Sequence, residues 1–89
     1  MQAFEGFRVL DLTHVLAGPF CTYQLGVLGA EVIKVEPPGE PDMVRHMGAP
    51  GIFDSDDLSV LYVAQNANKK AITLNLKTAP GKEIFKKLY

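Results

Sequence analysis

Residues 9–39 read VLDLTHVLAGPFCTYQLGVLGAEVIKVEPPG. An apolar run over residues 7–12 passes into a loop, residues 13–18, and Pro19 then opens a helical pattern that stops at Gly29. A second strand pattern, residues 30–36, with Val32, Ile33 and Val35 as its apolar body, ends at Pro37-Pro38-Gly39. Proline suits the first position of a helix, and glycine suits the place where a helix ends. Strands that are apolar almost without interruption are expected where both faces of a sheet are covered. Two such runs joined through a helix by short joints make a β-α-β unit, and therefore a parallel pair. This unit places its first loop at the carboxyl edge of the sheet, where α/β proteins commonly hold ligands.

The rest extends that unit. Phe20, Tyr23, Gln24, Val27 and Leu28 share one side of the helical pattern, which predicts burial between the sheet and another layer. Gly26 within it suggests close packing, and packing is also the role expected for Cys21. Residues 38–57 lack a sustained period and read as a loop, while residues 58–64 read as a short helix or strand with Ser55 or Asp56 as a cap. Residues 71–76, AITLNL, alternate and include β-branched positions, so a third strand is expected. Thr78 then caps a final helix with Pro80 in its first turn. That helical pattern runs to Tyr89 without a stop signal, so the 89 residues are expected to form an incomplete domain.

Composition narrows the class. With 47% hydrophobic and 21% charged residues and a net charge of −1, the chain is neither disordered nor a generally basic nucleic-acid binder. The charge is uneven. Six lysines (Lys69, Lys70, Lys77, Lys82, Lys86 and Lys87) face one acid, Glu83, after residue 64. They read either as a solvated surface or as local attraction for a phosphorylated ligand. Cys21 stands alone, which forbids an intrachain disulfide. No basic-then-apolar leader opens the chain and no apolar run reaches membrane-spanning length, so a cytoplasmic protein without membrane contact is expected.

Candidate chemistry is sparse. Asp11 reads as a strand-end residue bonding nearby backbone amides, and His14 either as a loop residue or as a group above the sheet. Glu36 resembles the ribose-binding acid of dinucleotide folds, but the loop THVLAGP lacks the G-x-G-x-x-G glycines. Asp54, Asp56 and Asp57 lack the glycine and distal glutamate of a calcium loop, so no metal site is expected.

Five runs in order, FEGFRVLDLTHVLAGPF, LGAEVIKVEPPG, Asp42-Met43-Val44-Arg45, NANKKAITLNLKT and GKEIFKKL, resemble the amino-terminal region of the class III CoA-transferase family. The resemblance implies a Rossmann-like parallel β-α-β portion of a larger α/β CoA-transferase domain, with residues 1–89 as its amino-terminal part. It further implies an acyl-CoA substrate, a carboxylic acid acceptor, no permanently bound cofactor and an interlocked homodimer. The family's nucleophile is an aspartate that forms an acyl-aspartyl anhydride and releases CoA thiolate. None of the five aspartates here matches its motif, so this stretch is expected to be inactive alone. Contact with CoA is implied for Leu16 and Ala17 before the Gly-Pro step, and for Leu74, Asn75, Leu76 and Lys77. Related acyl-CoA racemases share the pattern. A racemase fragment and a non-catalytic CoA-binding or interaction module are the alternatives.

Overall fold

The computed structural model describes residues 1–46 and 59–89. Strand β1 (Arg8–Asp11), helix α1 (Ala17–Val27) and strand β2 (Glu31–Glu36) form the expected opening unit. A 3₁₀ turn at Met43–His46, helix α2 (Val60–Asn66), strand β3 (Lys70–Thr73) and helix α3 (Ala79–Leu88) follow. The sheet runs β1-β2-β3, and both pairs are parallel. Val9 lies opposite Val32 and Val35 opposite Ile72, which makes β2 the central strand. The chain is thus a parallel α/β arrangement.

Element ends differ from the sequence reading for local reasons. Helix α1 begins at Ala17, two residues before Pro19, with Leu16 as an N-cap that has no side-chain bond. Proline is still tolerated there, because the first turn needs no donor from it. Gly29 follows the helix at φ +112, a conformation that suits glycine and ends the helix as expected. β3 ends at Thr73, three residues early, and residues 74–77 leave the sheet to reach α3. Thr78 caps α3 by accepting from the Gly81 amide at 3.2 Å, as the sequence indicates. The cap of α2 is Ser59, whose hydroxyl accepts from the Tyr62 amide at 3.0 Å, rather than Ser55 or Asp56. Those two residues, with Asp54 and Asp57, lie outside the described residues.

The packing of α1 corrects the expected face. Its buried residues are Pro19, Thr22 and Gly26, while Phe20, Val27 and Leu28 are exposed. Cys21 is exposed too, so it has no packing role among the described residues. The physical reason is proximity. Thr22 Oγ1 must donate to Asp11 Oδ2 at 2.6 Å, and a Cβ on Gly26 would lie 3.5 Å from Val32 Cγ2. A helix held this near a sheet presents its small residues, and the large ones fall on the outer side. Among the described residues no helix is long and apolar enough to cross a membrane.

Alternation along β2 sends Val32, Lys34 and Glu36 toward α1 and α2, and Ile33 and Val35 to the other face. All five are buried. Two of them are ionisable, and buried charges require partners. These come from the turn after the strand. Lys34 Nζ donates to Asp42 Oδ2 at 2.8 Å, and Arg45 Nη2 donates to Glu36 Oε1 at 2.5 Å.

Two glycines separate tight contact from spare room. An added Cβ at Gly18 would overlap the Thr13 side chain, whereas one at Gly26 makes ordinary contact. Gly18→Ala is expected to cost about 2 kcal/mol through forced displacement of Thr13. Gly26→Ala is expected to be neutral or to gain up to about 1 kcal/mol from helix propensity. Urea denaturation of both variants checks this, and equal losses would contradict the packing described.

Candidate functional site

The carboxyl ends of the three strands meet at a cavity of about 150 Å³ lined by Leu12, His14, Val35, Pro37, Leu74, Asn75, Leu76 and Lys77. Two shallower depressions on the same edge share Pro37, and one of them is also bordered by Asn75 and Lys77. A drug-sized ligand fills roughly 300–1,000 Å³, so a cavity of this size has room for only part of such a molecule.

Local structure fixes the cavity wall. Asn75 Oδ1 accepts from the Lys77 amide at 3.0 Å, and the Asn75 carbonyl accepts from Thr78 Oγ1 at 2.9 Å. These bonds turn the chain out of β3 and into α3. Gly81 sits so close that a Cβ there would overlap the Asn75 carbonyl. Of the six residues singled out by resemblance, the structure brings Leu74, Asn75, Leu76 and Lys77 to this cavity. Leu16 and Ala17 start α1 at the same edge but do not line it. His14 does line it, although no sequence partner marked that residue.

The lysines divide. Lys69 and Lys70 are taken up by Asp11 and Glu31, at 2.8 and 2.7 Å, and Lys86 lies 3.8 Å from Glu83. Of these three only the Lys69 side chain is buried, at 2% exposure, and so is not presented to a ligand. Lys77 is exposed at the cavity rim and makes no ion pair among the described residues.

Beneath the edge lies a polar network that the sequence reading missed. Asp11 does bond its neighbouring backbone, accepting from the Thr13 amide at 2.9 Å, but it does much more. Its carboxylate also accepts from Thr13 Oγ1, from Thr22 Oγ1 at 2.6 Å and from Lys69 Nζ at 2.8 Å. Lys69 Nζ reaches on to the Pro19 carbonyl at 3.0 Å and to Asn66 Oδ1 at 2.8 Å. One carboxylate thereby ties β1, the following loop, α1 and the turn after α2. Burial works to raise its pKa, but the bonds from Lys69, Thr13 and Thr22 outweigh burial and hold it at about 2. At Lys69 burial prevails and lowers the ammonium below its usual value, against the pull of Asp11.

The second centre is Lys34 with Asp42, both side chains at 0% exposure. Asp42 Oδ1 accepts from the amides of Val15 at 3.0 Å and Val44 at 3.1 Å. Lys34 Nζ donates to the Thr13 carbonyl at 3.0 Å. Arg45 stacks 3.9 Å over the Tyr62 ring and donates to its hydroxyl at 2.7 Å. Burial raises the Tyr62 pKa, while at Glu36 burial is outweighed by Arg45 and the Asp42 amide, so that carboxylate is lowered. Glu36 is therefore engaged inside the fold rather than presented to a ribose. The available signal was the pair Lys34 and Glu36 at alternate positions of a strand whose apolar body is Val32, Ile33 and Val35.

A wider depression, about 540 Å³, lies at the opposite edge among Phe7, Arg8, Glu31, Lys87 and Tyr89. There Arg8 is paired with Glu31 at 2.6 Å. It sits at the amino ends of the strands, away from the edge where parallel sheets commonly bind ligands.

Residues 4–89 match the sequence pattern of CoA-transferase family III. The chain is 50% identical over 88 residues to a mouse succinyl-CoA:glutarate CoA-transferase, covering 99% of this chain and 20% of that protein. It is 47% identical over 85 residues to an Escherichia coli formyl-CoA:oxalate CoA-transferase, covering 94% and 20%. Among solved structures, a CAIB/BAIF family protein of Brucella suis superposes with a TM-score of 0.84 at 36% identity, covering 98% of this chain and 23% of that one. A hypothetical protein of Mycobacterium tuberculosis superposes at 0.81 with 38% identity, covering 99% and 23%. The chain spans about a fifth of the length of the curated relatives it matches.

The depressed pKa of Asp11 gives a pH test. A carboxylate lowered in the folded state contributes stability that is complete above its unfolded value, about 4, and is lost as pH falls through the folded value, about 2. The stability gap between the wild type and Asp11→Asn is expected to stay constant from neutral pH to about 5, then to shrink by roughly 2 kcal/mol between pH 4 and 2. Denaturation midpoints across that range measure it. A gap independent of pH below 4 would contradict the assignment.

Proposed function

Because the chain belongs to CoA-transferase family III, we propose that it supplies part of the CoA-binding wall of an acyl-CoA:carboxylate CoA-transferase. The observation that carries this reading is the meeting of Leu74, Asn75, Leu76 and Lys77 with His14 and Pro37 at the carboxyl ends of three parallel strands. The lining is largely apolar, which suits the pantetheine arm. Lys77 stands at the rim as an ammonium for a phosphate or for the adenine end. Asn75 holds the backbone of this wall through its side-chain acceptor. Leu16 and Ala17 form the start of α1 on the same edge, without a capping side chain, and so offer amides to the same ligand.

On this reading CoA is a substrate, not a resident cofactor, and the second substrate is a carboxylic acid. Transfer runs through anhydrides on the enzyme. A carboxylate attacks the donor thioester carbonyl and expels CoA thiolate; the acceptor carboxylate then displaces the donor acid from the enzyme carbonyl, and CoA thiolate attacks the acceptor acyl group, releasing the new acyl-CoA and restoring the enzyme carboxylate. The nucleophile is not assigned to Asp11 or Asp42, because both are buried and engaged in ion pairs. It is expected beyond Tyr89. The full-length protein is proposed to be a cytoplasmic, interlocked homodimer, an assembly that would cover the exposed Phe20, Val27 and Leu28 of α1.

In the full-length transferase, Lys77→Ala is expected to raise the dissociation constant for CoA about tenfold, the loss of one charge-assisted contact. Lys77→Arg should retain most of the affinity. Calorimetric titration with CoA reads both, and unchanged affinity in Lys77→Ala would return this residue to a solvated surface role.

A further inference from the structure

Val15 adopts φ +71. A β-branched residue in the left-handed region is a strained conformation, costing on the order of 1–3 kcal/mol, and it persists only where neighbours impose it. Here two buried charges impose it. Asp42 Oδ1 holds the Val15 amide at 3.0 Å, and Lys34 Nζ holds the Thr13 carbonyl at 3.0 Å. The two clamped residues flank His14, which is exposed and lines the carboxyl-edge cavity.

We infer that the Lys34–Asp42 pair is a positioning device: it grips the backbone on either side of His14 and sets that imidazole at the mouth of the cavity against the acyl-CoA. The inference rests on the transferase reading. It assigns His14 as a ligand-contacting residue, and Lys34 and Asp42 as positioning residues that act through it.

Three features favour this over a purely structural pair. A buried ion pair is weak evidence for stability, since apolar replacement of both partners is often neutral or better. Neither partner is spent on the other alone, because each also bonds the loop backbone on one side of His14. The loop is held in a strained state that folding by itself has no reason to select.

The test uses two double variants of the full-length enzyme. Lys34→Met with Asp42→Leu removes the charges and every clamp bond. Lys34→Met with Asp42→Asn removes the charges but leaves an Oδ1 acceptor for the amides of Val15 and Val44. Steady-state kinetics with acyl-CoA are measured for both, with and without His14→Ala, beside thermal melts. The expected result is a KM about tenfold higher for the leucine variant and a much smaller rise for the asparagine variant, with kcat changed less in each. His14→Ala is expected to raise KM in the wild type but to add little in the leucine variant, because the imidazole is already misplaced. Equal KM in the two double variants, or full additivity with His14→Ala, would overturn the inference while leaving the transferase reading standing. A wild-type enzyme without CoA transfer would overturn that reading and the inference with it. Should the leucine variant fail to melt cooperatively, Val15→Pro reads the same clamp, because it removes the gripped N–H and forbids positive φ. A wild-type KM in that variant would overturn the inference.

Discussion

The Lys34 ammonium at the centre of the sheet is the constraint on which the rest of this structure depends. A central parallel strand is covered on both faces, and a charge placed there must be met by an opposite charge and by hydrogen bonds. Asp42 meets it, with both side chains at 0% exposure. Meeting it dictates where the chain goes after β2. It must turn back over the sheet so that Asp42 reaches Lys34 and, three residues later, Arg45 reaches Glu36. The 3₁₀ turn Met43–His46 is the shape of that return. Ser59 then donates to the Val44 carbonyl and starts α2, so the start of that helix is anchored to the turn. Removing one partner alone would strand a buried charge, a cost of about 3–5 kcal/mol.

The same economy shapes the candidate site. Asp11 gathers Thr13, Thr22 and Lys69, which draws α1 onto the sheet through small residues. With the helix that near, the loop between β1 and α1 has little room and is gripped at Thr13 and Val15. The β1–α1 side of the cavity is thus set by groups beneath it, whereas Asn75 and Lys77 fix the other wall between themselves. The polar layer also explains why Phe20, Val27 and Leu28 face outward: the inner side of α1 is already committed to Asp11 and Val32.

Much of the fold was legible in the sequence. Periodicity and punctuation gave the β-α-β unit, the stop at Gly29, the break at Pro37-Pro38-Gly39 and the Thr78 cap, because each rests on a local rule. The buried side of α1 was misread for a physical reason. Hydrophobic patterning assumes that the largest apolar residues face inward, and it cannot see a helix drawn close by a threonine-to-carboxylate bond. The Asp11–Lys69 pair was missed because its partners are 58 residues apart; Lys34–Asp42 and Glu36–Arg45 are only 8 and 9 apart, but Asp42 and Arg45 lie in a stretch read as a loop. Lys34 and Glu36 within an otherwise apolar strand were the visible warning. As for the site, the residues after β3 were picked out by resemblance, whereas His14 acquired neighbours only once the sheet closed.

On the proposed reading, this network builds a CoA-binding edge at the carboxyl ends of the strands. A crystal structure of the full-length protein grown with CoA tests it most directly. CoA density is expected along that edge, in contact with residues 74–77 and within reach of His14. CoA bound instead at the amino edge beside Arg8 and Lys87, with the cavity formed by Leu12, Val35 and Leu74 empty, would contradict it.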